Sequence, residues 1–308
     1  MAKKGKIQTW LEYAVIRSVF FAIGVLPKAA ALRTAAGLSR VVFSVSRRMS
    51  SGMRNLEIAF PDMQPNERKR ILRASIENIG RTIVEFVKFS PKSAEESRKT
   101  IRFDFESEDY KAYKKAKLEG RGVLMPTAHV GNWEILLASF SLEQHPIFFL
   151  AREIDNPLID KMFAEMRARF GNRQIYKSES AKAVLKALHA GESVGILPDV
   201  NTDRREGVFV PFFGVPACTT AGVARLAIRT NALIFPMFAV WDGAENCYKV
   251  YNGRPIEPFN SGDHERDVIG TTAAFTAEIE KIVRRLPEQW LWTHRRWKTR
   301  PPGEEELY

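Results

Sequence analysis

"GVLMPTAHVGNWEILLA", residues 122–138, runs from an apolar stretch through a short loop into a second apolar stretch. Gly122–Pro126 has the length and composition of a buried strand. Gly131 tolerates dihedrals that other residues resist, Asn132 is a favoured helix cap, and Trp133 to Ala138 then begins a helix. His129 falls in the loop and Glu134 in the first helical turn. Residues five apart do not share a helix face. A turn between them can nevertheless fold the loop back, so that the Glu134 carboxylate reaches one imidazole nitrogen and leaves the other free to take a proton. That is a general base with its orienting acid, without a nucleophilic serine or cysteine. The alternative is that Glu134 only complements the helix dipole and His129 is an ordinary loop residue.

The same alternation continues outward. "IFFLA" (147–151), "SVGILP" (193–198), "ALIFPMFAVW" (232–241) and "YKVYNG" (248–253) read as further strands. "NPLIDKMFAEMRARFG" (156–171) and "SAKAVLKALHAG" (180–191), the latter closed by Gly191, read as helices between them. This predicts an α/β fold with a largely parallel central sheet and helices on both faces. Residues 29–90 are helical in pattern. Each of the first three strands is followed by a residue capable of chemistry: His129, Arg152 and Asp199. Ligands of open α/β sheets bind at the carboxyl ends of the strands, so these three should converge on one crevice. Arg152 can grip a phosphate or carboxylate, or pair with Glu153 or Asp155. Asp199 can orient Arg152 or a substrate hydroxyl, or cap its own loop.

The chain has 308 residues, 45% of them apolar, and a net charge of +11. That is enough apolar material for a full core, and the charge suits an anionic partner such as nucleic acid, an acidic membrane or a phosphorylated substrate. Cys218 and Cys247 are too few for a disulfide framework and lack zinc-ligand spacing, so both are expected to be buried thiols. No metal site or cofactor is expected. His189 and His264 lie in polar helical settings and His145 beside Pro146 in a turn. "REGVFVPFFG" (205–214) reads either as the lining of an apolar groove or as a buried hairpin.

The beginning of the chain carries Lys3, Lys4 and Lys6 and then "IQTWLEYAVIRSVFFAIGVLP". No small-residue cleavage site follows, and Glu12, Arg17 and Pro27 leave too short an apolar run to span a bilayer. The expectation is a helix lying in the membrane interface through Trp10, Tyr13, Phe20 and Phe21, against the alternative of an ordinary packed helix. Residues 1–45 are assigned to this segment and 46–308 to the α/β domain. Near the other end, "PEQWLWTHRRWKTR" (287–300) would, as a helix, set Trp290, His294 and Trp297 on one face amid Arg295, Arg296, Lys298 and Arg300. Such a face could seat a phosphorylated lipid headgroup, or the tryptophans could close the core. Without a helix-turn-helix, zinc-finger or RNP-like motif, nucleic acid is the weaker reading of the charge.

His-x4-Asp/Glu after a strand resembles the signature of glycerolipid acyltransferases. "RNLEIAFP" (54–61), "HVGNWE" (129–134), "AREIDNPLID" (151–160), "LPDVNTDRREGVFVPFFGVPACTTAG" (197–222) and "PEQWLWTHRRWKTRPPGE" (287–304) together resemble the bacterial lipid A late acyltransferases. Val200 stands where that family often has glutamine, and the Phe-Pro-Glu-Gly-Thr motif of lysophosphatidic acid acyltransferases is missing. The resemblance implies acyl transfer from an acyl carrier protein or acyl-CoA thioester to a hydroxyl of a phosphorylated glycolipid. It places the enzyme at an anionic surface, the cytosolic face of a bacterial inner membrane, with no nucleic acid involved. His129 and Glu134 are the implied catalytic residues. Arg152, Asp199, Asn132, Arg295 and Arg296 are the candidate substrate contacts.

Overall fold

A computed structural model describes residues 5–44, 46, 48–143, 146–176 and 180–308. Lys3, Lys4 and His145, singled out above, lie outside the described residues. Five strands form a parallel sheet in the order β4-β3-β5-β2-β8: β2 (Val123–Pro126), β3 (Phe148–Ala151), β4 (Arg173–Tyr176), β5 (Ser193–Ile196) and β8 (Leu233–Ile234). The expected run 232–241 is broken at Phe235-Pro236. Its second half, β9 (Met237–Asp242), leaves the parallel sheet and pairs antiparallel with β10 (Cys247–Asn252). β1 (Ile101–Arg102) completes that separate three-stranded sheet. A proline cannot donate to a ladder, which accounts for the switch at this point. Residues 205–214 take the hairpin alternative: β6 (Gly207–Phe212) pairs with β7 (Val215–Thr220) across a turn at Phe213-Gly214.

Helices cover both faces of the parallel sheet. On one side α6 (Glu108–Leu118) and α7 (Trp133–Glu143) enclose a core with Val123, Met125, Ile147 and Phe149. On the other, α9 (Ser180–His189), α10 (Gly222–Thr230) and α11 (His264–Arg285) enclose Leu124, Val194 and Ile196. The alternation of side chains along each strand divides the core in this way. Cys218 and Cys247 are buried free thiols, and His189 and His264 are exposed.

The helical first third forms α1 (Lys6–Val25), α2 (Lys28–Ser44), α3 (Arg48–Ala59) and α4 (Pro65–Phe89). α2 lies along α4 and is tied to it by Lys28 and the buried Glu85, 3.0 Å apart. α1 rests on α8 (Pro157–Arg167): Asn156 donates to the Thr9 carbonyl at 2.9 Å and to Glu12 at 3.0 Å, and Phe20 meets Phe163 edge-on. No residue of α1 is buried, and Ile7, Trp10, Leu11, Val15 and Phe21 are exposed. Of the four aromatic residues expected to anchor this helix, Trp10 and Phe21 therefore face outward. Tyr13 packs on Trp10, and Phe20 is used inward. Among the described residues no helix is long and apolar enough to cross a membrane.

Candidate active site

The loop after β2 is held from three sides. Gly131 has φ +60°, and a Cβ there would stand 2.0 Å from the Ala239 carbonyl oxygen, so only glycine fits. Asn132 caps α7 by accepting from the Ile135 amide at 3.1 Å. The chain beyond α11 crosses the loop: Leu291 donates to the His129 carbonyl, Gly131 to the Gln289 carbonyl, both at 3.0 Å, and Val130 bridges Trp290. From α4, Asn78 and Thr82 each donate to the Gly131 carbonyl at 3.0 Å. The His129 carbonyl and both backbone polar groups of Gly131 thus have protein partners, which fixes the loop against the sheet.

His129 projects from this frame with Asp199, not Glu134, as its partner. Nδ1 lies 2.8 Å from Asp199 Oδ1, and the His129 amide donates to Oδ2 at 2.8 Å. β2 and β5 are neighbours with Pro126 opposite Ile196, and His129 and Asp199 each follow three positions later. Aligned strand ends bring the two side chains to one height. The ionised carboxylate only accepts, so Nδ1 carries the proton and Nε2 is the basic nitrogen. Among the described residues nothing bonds to Nε2, and the ring lines the cleft.

Asp199 is nearly inaccessible, with its side chain 1% exposed. Its second oxygen also accepts from the Trp290 indole Nε1 at 2.9 Å. Burial alone would raise its pKa, but the neighbouring imidazole and the donated hydrogen bonds hold the carboxyl below its usual range. For His129, burial opposes the charged ring. The Asp199 carboxylate, their hydrogen bond and more distant Glu134 outweigh it and hold the imidazole above its usual value.

Glu134 sits in the first turn of α7 and faces a different cation. Arg167, at the end of α8, grips both its oxygens, with Nε at 2.8 Å from one of them. The expectation that Glu134 turns back onto the imidazole is thus corrected. The carboxylate is claimed by a planar fork, and the imidazole nitrogen by an acid from the adjacent strand. The His-x4-Glu spacing instead ties α7 to α8 beside His129.

The remaining candidates divide. Arg152 is exposed at the end of β3 and lines the same cleft as His129, so the three strand ends do converge. Asn132 does not reach the cleft: it is 0% exposed and its amide nitrogen turns to Tyr248. Residues 290–300 form no helix. Trp290, Trp292 and Trp297 are all buried, which is the core alternative. Arg296 is buried with them, donating to the Cys218 carbonyl at 2.9 Å and to Thr219 Oγ1 at 2.5 Å, and burial pulls its pKa down to about 10. Arg295 is exposed and reaches Ser51 at 3.1 Å. Neither lines the cleft.

The cleft has a volume of about 910 Å³ and spans both faces of the sheet. Its α7 side is apolar, formed by Met125, Leu136, Leu137, Phe140 and Phe149. Its α10 side carries Arg205, Arg225 and Arg229. Among the described residues no carboxylate is paired with these three or with Arg152. An apolar slot, a basic rim and a polarised imidazole between them can seat an amphiphilic anion and deprotonate a hydroxyl.

A model of the family described as bacterial lipid A biosynthesis acyltransferase matches residues 3–299. The chain belongs to that family. It is 30% identical over 304 residues to a lipid A biosynthesis lauroyltransferase of Escherichia coli K12, covering 97% of this chain and 94% of that protein. A palmitoleoyltransferase of the same organism is 29% identical over 267 residues, 86% of this chain and 83% of that protein. A lipid A biosynthesis acyltransferase of Haemophilus influenzae is 29% identical over 266 residues, 83% of this chain and 79% of that protein. The chain is accordingly an acyltransferase. Arg167, which lines the cleft and grips Glu134, and Trp290, which donates to Asp199 from the core, are the residues around His129 that the sequence does not single out. Arg167 carries no visible signal at the end of an amphipathic helix, and Trp290 reads in the sequence only as one tryptophan of a cluster.

Proposed function

We propose that this acyltransferase moves a fatty acyl chain from a thioester donor to a hydroxyl of a phosphorylated lipid A precursor. His129 is the base and Asp199 its orienting acid. The acceptor O–H gives its proton to Nε2, its oxygen bonds to the thioester carbonyl carbon, and the C–S bond breaks. The leaving thiolate then takes the proton from the imidazolium, so the base is restored. Asp199 stabilises the imidazolium in between. The observation that carries this reading is the 2.8 Å contact between His129 and Asp199 at the join of an apolar slot and an arginine-rich rim.

The slot suits the acyl chain, and Arg152, Arg205, Arg225 and Arg229 suit acceptor phosphates, which arginine binds bidentately. By family, the donor is acyl carrier protein, with acyl-CoA as the second choice. Residues 1–45 act as the membrane-associating segment of the enzyme and 46–308 as its acyltransferase domain. The outward apolar face of α1 supports a seat in the interface at the cytosolic side of the inner membrane. Expression in a bacterial strain lacking its own late acyltransferases tests the whole reading. Mass spectrometry should show lipid A heavier by one acyl chain, and an unchanged lipid A profile with the protein present and membrane-bound would refute it.

A further inference from the structure

β5 is the central strand of the parallel sheet, and its Val194 and Ile196 point to the α9 side. Ser193 and Gly195 therefore point to the α7 side, where Ser193 meets Tyr113 of α6. Gly195 lies directly between Met125 of β2 and Phe149 of β3, its partners in register. All three line the apolar slot, roofed by Leu136, Leu137 and Phe140. The floor of the slot is thus a row of Met, Gly and Phe, and the glycine is its low point.

Glycine is not required there by the backbone. Its φ is not positive, and an added Cβ would meet Ile147, the Phe148 carbonyl and Phe149 all at 3.8 Å, ordinary contact. Gly131, by contrast, has both a positive φ and a carbonyl in the way. In a central strand glycine also weakens the sheet. What Gly195 contributes is space. It lies four positions before Asp199 on the same chain segment, so at ~3.3 Å per residue it is up to about 13 Å below the catalytic pair. A chain whose carbonyl sits beside His129 would pass over it.

We propose that Gly195 sets the length of acyl chain the enzyme accepts, by leaving open the floor of the apolar slot beneath His129. The proposal rests on the acyl-transfer reading above and adds which residue selects the donor. A side chain at this position fills the slot from below and shortens the chain that fits, leaving the base, its acid and the basic rim untouched.

The test compares purified wild type, Gly195→Ala and Gly195→Val on saturated acyl thioesters of stepped length with a lipid A precursor as acceptor. In the Val variant the ratio of kcat/KM for the wild type's preferred chain to that for shorter chains should fall by about 10-fold or more, as for a methylene misfit in an apolar pocket. The Tm should hold or rise, because a β-branched residue suits a strand better than glycine. In the Ala variant, whose Cβ fits without displacement, the same ratio should fall less. A folded Val variant with the wild-type ratio, or with an equal loss on all lengths, overturns the proposal. If the Val variant does not fold, an unchanged ratio in the Ala variant overturns it. Wild type that transfers no chain from any thioester defeats the acyl-transfer reading itself, a result distinct from an unshifted ratio.

Discussion

Asp199 Oδ1 lies 2.8 Å from His129 Nδ1 although 70 residues separate them in the chain. The pairing follows from strand register: β2 and β5 are adjacent and aligned, and each side chain stands three positions past its strand. Asp199 is therefore expected to act as the orienting acid, and its removal has two measurable effects. Asp199→Asn should lower turnover by about 10²–10⁴-fold. It should also move the acid limb of kcat/KM. The imidazole must be neutral to act as base, and Asp199 holds its pKa above the usual value, so wild-type activity is lost as pH falls through that raised value. With the carboxylate gone, burial dominates and the pKa drops, so the limb moves to lower pH. A variant with near wild-type turnover and an unmoved limb would show that the acid does not serve the base.

Trp290 predicts a shift of the opposite sign. Its indole N–H draws charge from Asp199 Oδ2. In Trp290→Phe the carboxylate keeps both bonds to His129 but becomes a stronger partner for the imidazolium, so the acid limb should move to higher pH. Turnover should fall by roughly 5–30-fold, the equivalent of 1–2 kcal/mol, and the acceptor KM should hold. A tryptophan that only fills the core would lower Tm and leave the pH profile in place. That outcome, seen by comparing pH–rate curves with thermal melts, would remove Trp290 from the site.

What the sequence revealed and what it hid divide along local and non-local physics. The Gly131 turn, the Asn132 cap and the Gly191 helix end are set by neighbouring residues, and each was legible. That His129 and Arg152 share one cleft was legible too, because each follows a strand, whereas Asp199 is buried behind the imidazole and does not line it. Which acid takes the imidazole was not, since that depends on β2 and β5 being neighbours. β4, "RQIY", carries no strand signal, because an edge strand with polar residues lacks the apolar run of its interior neighbours. In the same way Arg295 and Arg296 look equivalent in sequence. Only the non-helical path of residues 290–300 turns one outward and buries the other.

Glu134 and Arg167 form a pair with side chains 10% and 18% exposed. Breaking such a pair from one side leaves a charge without its partner, at a cost of about 3–5 kcal/mol. Glu134→Gln should therefore lower both stability and turnover. Its effect on turnover should come through displacement of α7 and α8, not through loss of a proton acceptor. Adding Arg167→Met to Glu134→Gln removes the stranded guanidinium, so the double variant should be more stable than Glu134→Gln alone. Urea melts of the four proteins in the cycle read the coupling directly. Strictly additive losses would mean that the two side chains do not depend on each other.

If α1 seats the enzyme in the membrane as proposed, its outward face should matter for binding to bilayers and not for folding. Leu11 and Val15, one helical turn apart, are each 62% exposed, whereas Phe20 packs on Phe163. Burying one such aliphatic side chain is worth ~1.5–3 kcal/mol, so Leu11→Glu/Val15→Glu should weaken binding to anionic phospholipid vesicles by about tenfold or more. The melting temperature should scarcely move, because neither side chain is packed in the fold. Activity should fall on acceptor embedded in vesicles and persist on acceptor dispersed in detergent. Phe20→Ala should behave differently, lowering the melting temperature through the lost edge-to-face contact with α8. Vesicle co-sedimentation alongside thermal melts distinguishes the two faces. Wild-type vesicle binding by the double glutamate variant would place the membrane contact elsewhere on the molecule.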